Sequence, residues 1–64
     1  MSELQLLRRG EVMKKVGIGK STLYKLIREG GFPPPVRVGA SSTWVESEVD
    51  AWITARVQLR NEAA

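Results

Sequence analysis

The 64-residue sequence contains no cysteine and no histidine. Disulfides and ordinary zinc sites, the common supports of very small domains, are therefore excluded. The most frequent base, nucleophile and metal ligand of enzymes are missing as well, so we expect neither catalysis nor a bound cofactor or metal. No apolar run approaches the length of a signal peptide or a membrane span. We therefore expect a cytoplasmic protein without a membrane partner.

The length permits one domain, 1–64, and we expect its core within about 6–57, between flexible termini. A domain of this size buries only about 60% of the surface that its unfolded chain exposes. Its stability must therefore come from tight helix packing, self-association or a bound ligand.

Basic residues are concentrated in one third of the chain. Between residues 8 and 28, a single acid, Glu11, is outnumbered by seven cations, which gives this segment a net charge of +6. From residue 29 onward the balance is −2. Such an uneven distribution of charge is typical of a protein with a face that binds a polyanion. Charges of this kind also serve simply to solvate helix surfaces. The seven cations are Arg8, Arg9, Lys14, Lys15, Lys20, Lys25 and Arg28.

Two helical patterns flank a three-residue turn. The hydrophobic spacing of residues 12–16 predicts a helix from about residue 9 or 10 to 16. The Gly-Ile-Gly sequence that follows has the length and chemistry of a helix-turn-helix turn, with Ile18 entering the core. A second helix is predicted over 20–29, with one apolar face and an opposite face that is hydroxylic, aromatic and cationic.

A proline-rich connector leads to a predicted hairpin. Residues 33–35 are prolines, which favour a structural crossing anchored by Phe32 over a ligand for a peptide-binding module. Residues 36–38 and 43–45 then predict two strands, with residues 39–42 as the turn. We expect the apolar side chains to pack inward, which leaves Arg37 and the serines exposed; the inward set is Val36, Val38 and Trp44.

A third helix is predicted to begin at a capping signal at Ser47 and to fray after about Leu59. Trp44 and Trp52 fit core positions better than they fit base-stacking platforms. The fold class is therefore mainly α with a small β-hairpin: a winged helix-turn-helix of three helices and a two-stranded wing.

The segment from Gly19 to Thr22 resembles the end of a phosphate-binding P-loop. That motif needs a glycine where this chain has Lys14, and a strand where this chain predicts a helix. Nucleotide hydrolysis is therefore set aside, but the local chemistry still suits a phosphate group of DNA.

The second helix of a helix-turn-helix enters the major groove, so its exposed residues are the candidate DNA contacts. We assign contacts with base edges to Ser21, Thr22 and Lys25. Contacts with phosphates are assigned to Lys20, Tyr24 and Arg28, although packing of the ring alone also explains Tyr24. In the wing, Arg37, Ser41 and Ser42 are candidates for hydrogen bonds to phosphates.

The chain resembles the AlpA-type prophage regulators, which are related to phage excisionases and MerR-like winged helix proteins. The similarity covers roughly residues 6–56 and lies in four segments: Leu7–Val12, Gly17–Ile27, Phe32–Gly39 and Trp44–Ile53. The resemblance implies a bacterial or phage DNA-binding regulator that activates an integrase gene or assists excision. By position, it also implies that the helix starting near Lys20 docks in the major groove.

The expected partner is double-stranded DNA, bound cooperatively by several copies. Integrase and RNA polymerase are further candidate partners. A rival hypothesis is a protein-interaction module, whose surface would comprise Arg56, Val57 and Arg60 beyond the core.

Overall fold

The computed structural model describes residues 4–63, with side chains described for 4–62. It contains the three helices and the hairpin of a winged helix-turn-helix, and the apolar segment before the first helix adds a third strand. The chain ends that we expect to be flexible lie partly outside the described residues. In chain order the elements are β1 (Leu6–Arg8), α1 (Arg9–Val16), α2 (Lys20–Arg28), β2 (Val36–Val38), β3 (Ser41–Val45) and α3 (Glu46–Ala63).

Glycine makes the turn between α1 and α2 possible. Gly17 has a φ of +79°, a left-handed conformation, and its N–H donates to the carbonyl of Met13 at 2.7 Å. The predicted bounds of α1 are confirmed, and α2 ends at Arg28, one residue before its predicted end. Ile18 packs against the core between the two helices, as the sequence predicts.

The three strands form one antiparallel sheet in the order β1-β3-β2. The prediction that residues 39–42 all form the turn is wrong. Gly39 has a φ of +59°, which allows the reversal to use only Gly39 and Ala40. Ser41 and Ser42 therefore belong to β3 and are half-buried rather than exposed at a tip.

This register also corrects the predicted orientation of β2. Leu7 pairs with Trp44, so these two side chains share the core face of the sheet. Val36 and Val38 lie on the opposite face, with exposed fractions of 40% and 52%, and do not pack inward. Because side chains alternate along a strand, the correction places Arg37 on the core side of the sheet, where it remains exposed.

A small core holds the helices against the sheet. Phe32 anchors the proline connector as predicted, and the Nε1 of Trp44 donates to the carbonyl of Pro33 at 3.1 Å. Trp52 is half-buried and donates from its Nε1 to the carbonyl of Gly31. The inward positions predicted for both tryptophans are confirmed. The buried hydrophobic set comprises Leu7, Val12, Leu23, Phe32, Trp44 and Val49.

The third helix begins before the predicted cap. Its first residue is Glu46, whose N–H donates to the carbonyl of Gln5 at 2.7 Å, so Ser47 lies inside the first turn. This bond to the residue before β1 satisfies a helix N-terminal donor without a side-chain cap. The helix continues past Leu59 to Ala63, and fraying of its last turn stays a prediction. Within residues 4–63, no helix has the length and hydropathy needed to cross a bilayer.

Candidate nucleic-acid interface

The side of α2 opposite the core contains two of the predicted base-reading residues, Ser21 and Lys25. Leu23 is fully buried, and Leu26 and Ile27 pack against the core beside it, which fixes the orientation of the helix. At 100° per residue, the side chains opposite Leu23 are polar or cationic. All of them are exposed: Ser21, Lys25 and Arg28.

Two predicted phosphate contacts, Lys20 and Tyr24, lie on one flank of this exposed side because they are one helical turn apart. Thr22 is exposed on the other flank. Tyr24 is half-buried, and its hydroxyl forms no hydrogen bond with another described residue, so the oxygen can accept or donate to a ligand. All six α2 candidates therefore share one continuous surface.

The cations on this surface form no salt bridge with another described residue. Among the described residues, the salt bridges all involve Lys15, whose Nζ lies 2.9 Å from Asp50 Oδ1 and 3.3 Å from Glu46 Oε2. Hydrogen bonds to Asp50 and then to Glu46 raise the pKa of Lys15 above its usual value. The cations of α2 lack such acids within residues 4–62, which leaves their charge available to an external anion.

A polar cavity of about 320 Å³ adjoins the Tyr24 flank of α2. Its walls come from three elements: residues 8–10 where β1 meets α1, Tyr24 of α2, and residues 40–42 of the wing. Arg8 and Arg9 belong to the basic segment of the sequence, but they were not among the predicted site residues. Only the pairing of β1 with β3 brings them to the wing, and a three-residue strand gives little sign of its partner.

The wing lines the same cavity as α2, and it does so through its serines. Ser41 and Ser42 line the cavity together with Tyr24, so the structure brings these three predicted site residues together. Arg37 pairs with Ser42 across the hairpin but is not among the lining residues. It is an exposed cation at the edge strand of the sheet.

The tryptophans are placed for packing rather than for stacking on bases. Trp44 has no exposed surface. The rings of Trp52 and Phe32 meet edge to face with centroids 4.9 Å apart, and the guanidinium of Arg56 lies 5.0 Å from the Trp52 ring centroid. These contacts use the ring of Trp52 within the protein.

Two helices joined by a tight turn, a β-wing and an exposed basic helix face define a winged helix-turn-helix protein. The sequence profile of the family described as "Prophage CP4-57 regulatory protein (AlpA)" matches residues 5–57. The chain therefore belongs to the AlpA family of prophage regulatory proteins, and the resemblance inferred from its motifs is confirmed.

A phage protein is similar in sequence to most of the chain. It is named "Uncharacterized protein ORF88", comes from Enterobacteria phage P4, and is 43% identical over 61 residues. The similar region covers 94% of this chain and 69% of the phage protein. No solved structure matches the chain.

Proposed function

We propose that the protein binds double-stranded DNA sequence-specifically and regulates transcription or excision of an integrated element such as a prophage. The observation that carries the proposal is the exposed side of α2, where Ser21, Lys25 and Arg28 lie together without an acidic partner among the described residues. Membership of a prophage regulatory family supports the same function. In this proposal the protein acts by binding rather than by catalysis. It does so in the bacterial cytoplasm, where the DNA of the nucleoid lies.

In the proposed complex, α2 enters the major groove with its N-terminal half nearest the bases. Ser21, Thr22 and Lys25 contact base edges, and the ammonium group of Lys25 suits the O6 and N7 acceptors of guanine. The flanking residues Lys20 and Tyr24 contact the backbone, as does Arg28 in the last turn of α2. From the wing, Arg37, Ser41 and Ser42 hydrogen-bond to phosphates of the adjoining backbone.

The test begins with selection of bound duplexes from random DNA, followed by measurement of affinity against salt concentration. With about four phosphate contacts, the slope of log affinity against log salt should be near −4. Weak binding to every duplex, with little change between low and moderate salt, would refute sequence-specific DNA binding.

Two substitutions in α2 distinguish contacts with base edges from contacts with phosphates. Lys25→Ala should lose about 1–3 kcal/mol of discrimination at one base position, because a base-edge contact is removed. Arg28→Ala should weaken binding to all sequences about equally, because phosphates carry no sequence information. Arg60→Ala, which removes the same charge near the end of α3, is the matched control and should bind as the wild type does.

The regulatory output is proposed to involve an integrated element. A promoter of an adjacent integrase gene, or the attachment site of the element, is the expected target, with RNA polymerase or the integrase as the protein partner. Transcript and excision assays with the wild type and Lys25→Ala distinguish these outputs. Equal results for the two proteins in both assays would argue against a role of α2 in either.

A second candidate function is a protein-interaction module. It is favoured by the exposed Val57 and Leu59 on the part of α3 that extends beyond the core. Arg56 and Arg60 flank these side chains. Capture of an integrase or polymerase subunit that survives nuclease and high salt, is lost in Val57→Asp and persists in Lys25→Ala, would support it. Capture that disappears with nuclease would leave DNA as the partner.

A further inference from the structure

The cavity beside α2 has the chemistry of an anion site. Arg8 and Arg9 line the cavity from the start of α1, and Ser41 and Ser42 line it from the wing. Tyr24 closes the side toward α2. No acid is among the lining residues, and neither arginine forms a salt bridge with any described residue.

The side-chain donors that line the cavity are not paired with other described residues. Glu11, the acid closest in sequence, accepts the backbone N–H of Arg8 at 2.9 Å and leaves the guanidinium uninvolved. No side-chain hydrogen bond to a described residue is formed by Arg9, Ser41 or Ser42. Two guanidinium groups with several hydroxyls provide a set of donors that matches the oxygens of a phosphate.

We propose that this cavity binds one phosphate group of the DNA backbone, with Arg8 and Arg9 as its charged ligands. This assignment rests on the proposed DNA binding and adds contacts outside α2. Tyr24, which lines the cavity, belongs to the flank of α2 that also carries Lys20, beside the face proposed to enter the major groove. A backbone strand bordering that groove therefore passes the cavity.

In this arrangement one phosphate is contacted from three elements: the start of α1, α2 and the wing. Since these elements are held together by the core, the contact fixes how α2 is positioned in the groove. The contact affects affinity and register for every sequence, and it does not itself select bases.

The first experiment compares Arg9→Ala with the wild type on selected and unrelated duplexes. We expect affinity to fall roughly tenfold for all of them, as for loss of a charged hydrogen bond. The salt slope should become shallower by about 0.9, the value for one phosphate contact. Arg9→Lys, which keeps the charge, should recover much of the slope, and the control Arg60→Ala should leave both quantities unchanged.

The second experiment locates the phosphate. One backbone phosphate at a time is replaced by a neutral methylphosphonate in the selected duplex. At one position, neutralisation should weaken the wild type but add little to the defect of Arg9→Ala, because both changes remove the same contact. Ser42→Ala should show the same coupling at that position. Purely additive effects at every position would overturn the proposal.

Titration with inorganic phosphate separates a DNA site from a site for a free anion. In this titration, nuclear magnetic resonance follows the signals of the residues that line the cavity. Saturable shifts of these signals that are abolished in Arg9→Ala, while DNA binding by that variant is unchanged, would overturn the assignment to DNA. A wild type that binds DNA with an Arg9→Ala variant of equal affinity and slope would refute the cavity contact alone. A wild type that binds no duplex would refute both this contact and the proposed function.

Discussion

Lys15 differs from the other cations of its segment because two acids of α3 neutralise it. Glu46 and Asp50 are one turn apart at the start of α3, so both carboxylates approach the same ammonium group. These ion pairs connect α1 to α3 and neutralise the charge of Lys15 within the protein. In the sequence Lys15 is one of the seven cations of the basic segment, because local spacing does not show that α3 packs against α1.

The ion pairs of Lys15 should make the stability of the protein depend on alkaline pH. Because the folded-state pKa of Lys15 is raised above 10.5, its contribution is complete below the unfolded pKa and is lost as the pH rises through the folded value. The difference in melting temperature between the wild type and Lys15→Met should therefore be largest near neutrality and shrink above pH 10.5. Thermal unfolding monitored by circular dichroism between neutral and alkaline pH measures it.

The neighbouring lysine supplies the control. Lys14→Met removes the same charge from an exposed position that has no salt bridge with a described residue. Its difference in melting temperature from the wild type should be small, because no salt bridge with a described residue is lost. A Lys15→Met difference that stays constant across the alkaline range would contradict the assignment of the raised pKa to these ion pairs.

Among the elements, the helices could be predicted far better than the wing. Helical periodicity identified α1 and α2 within one residue because several apolar positions repeat on one face. The hairpin has only three-residue and five-residue strands, and a shift of one residue inverts which side chains face the core. Apolar character favoured Val38 inward, whereas the two-residue turn at Gly39 pairs Val38 with Ser41 on the outer face.

Strand β1 allows a direct test of which side chains of the sheet face the core. Leu6 and Leu7 are adjacent in one strand, but Leu6 is 44% exposed and Leu7 only 8%. Leu7→Ala should lower the free energy of unfolding by about 2–5 kcal/mol, because it leaves a cavity against the core. Leu6→Ala should cost about 0.5 kcal/mol or slightly more. Urea unfolding of the two variants measures both values; equal losses would show that β1 does not alternate as described.

For the whole molecule, the fold class and family could be predicted from the sequence, but the full extent of the candidate site could not. The α2 residues were found because a helix presents a continuous face in its own sequence. Arg8 and Arg9 join them only through the β1–β3 pairing, a contact between residues about 35 positions apart. The basic segment thus divides into the cations of the candidate site, the exposed Lys14 and the internally paired Lys15.

The size of the protein bears on how it occupies DNA. Its longest dimensions are 42 and 34 Å, which compare with about 34–36 Å for one turn of the duplex. Two copies bound one turn apart on the same side would therefore meet when one of these long axes lies along the duplex. A single small module buries about 600–1,000 Å² on DNA, so contact between neighbours is an effective way to increase occupancy.

We therefore expect cooperative binding to a duplex carrying two selected sites about 10.5 base pairs apart. The binding isotherm should be steeper than for one site, and sedimentation should show two protomers on the DNA with few singly occupied complexes. Moving one site by about half a turn places the copies on opposite sides of the duplex and should abolish the cooperativity while keeping the affinity of each site. Independent binding at both spacings would mean that one winged helix-turn-helix, with its α2 face and wing cavity, is sufficient for each site.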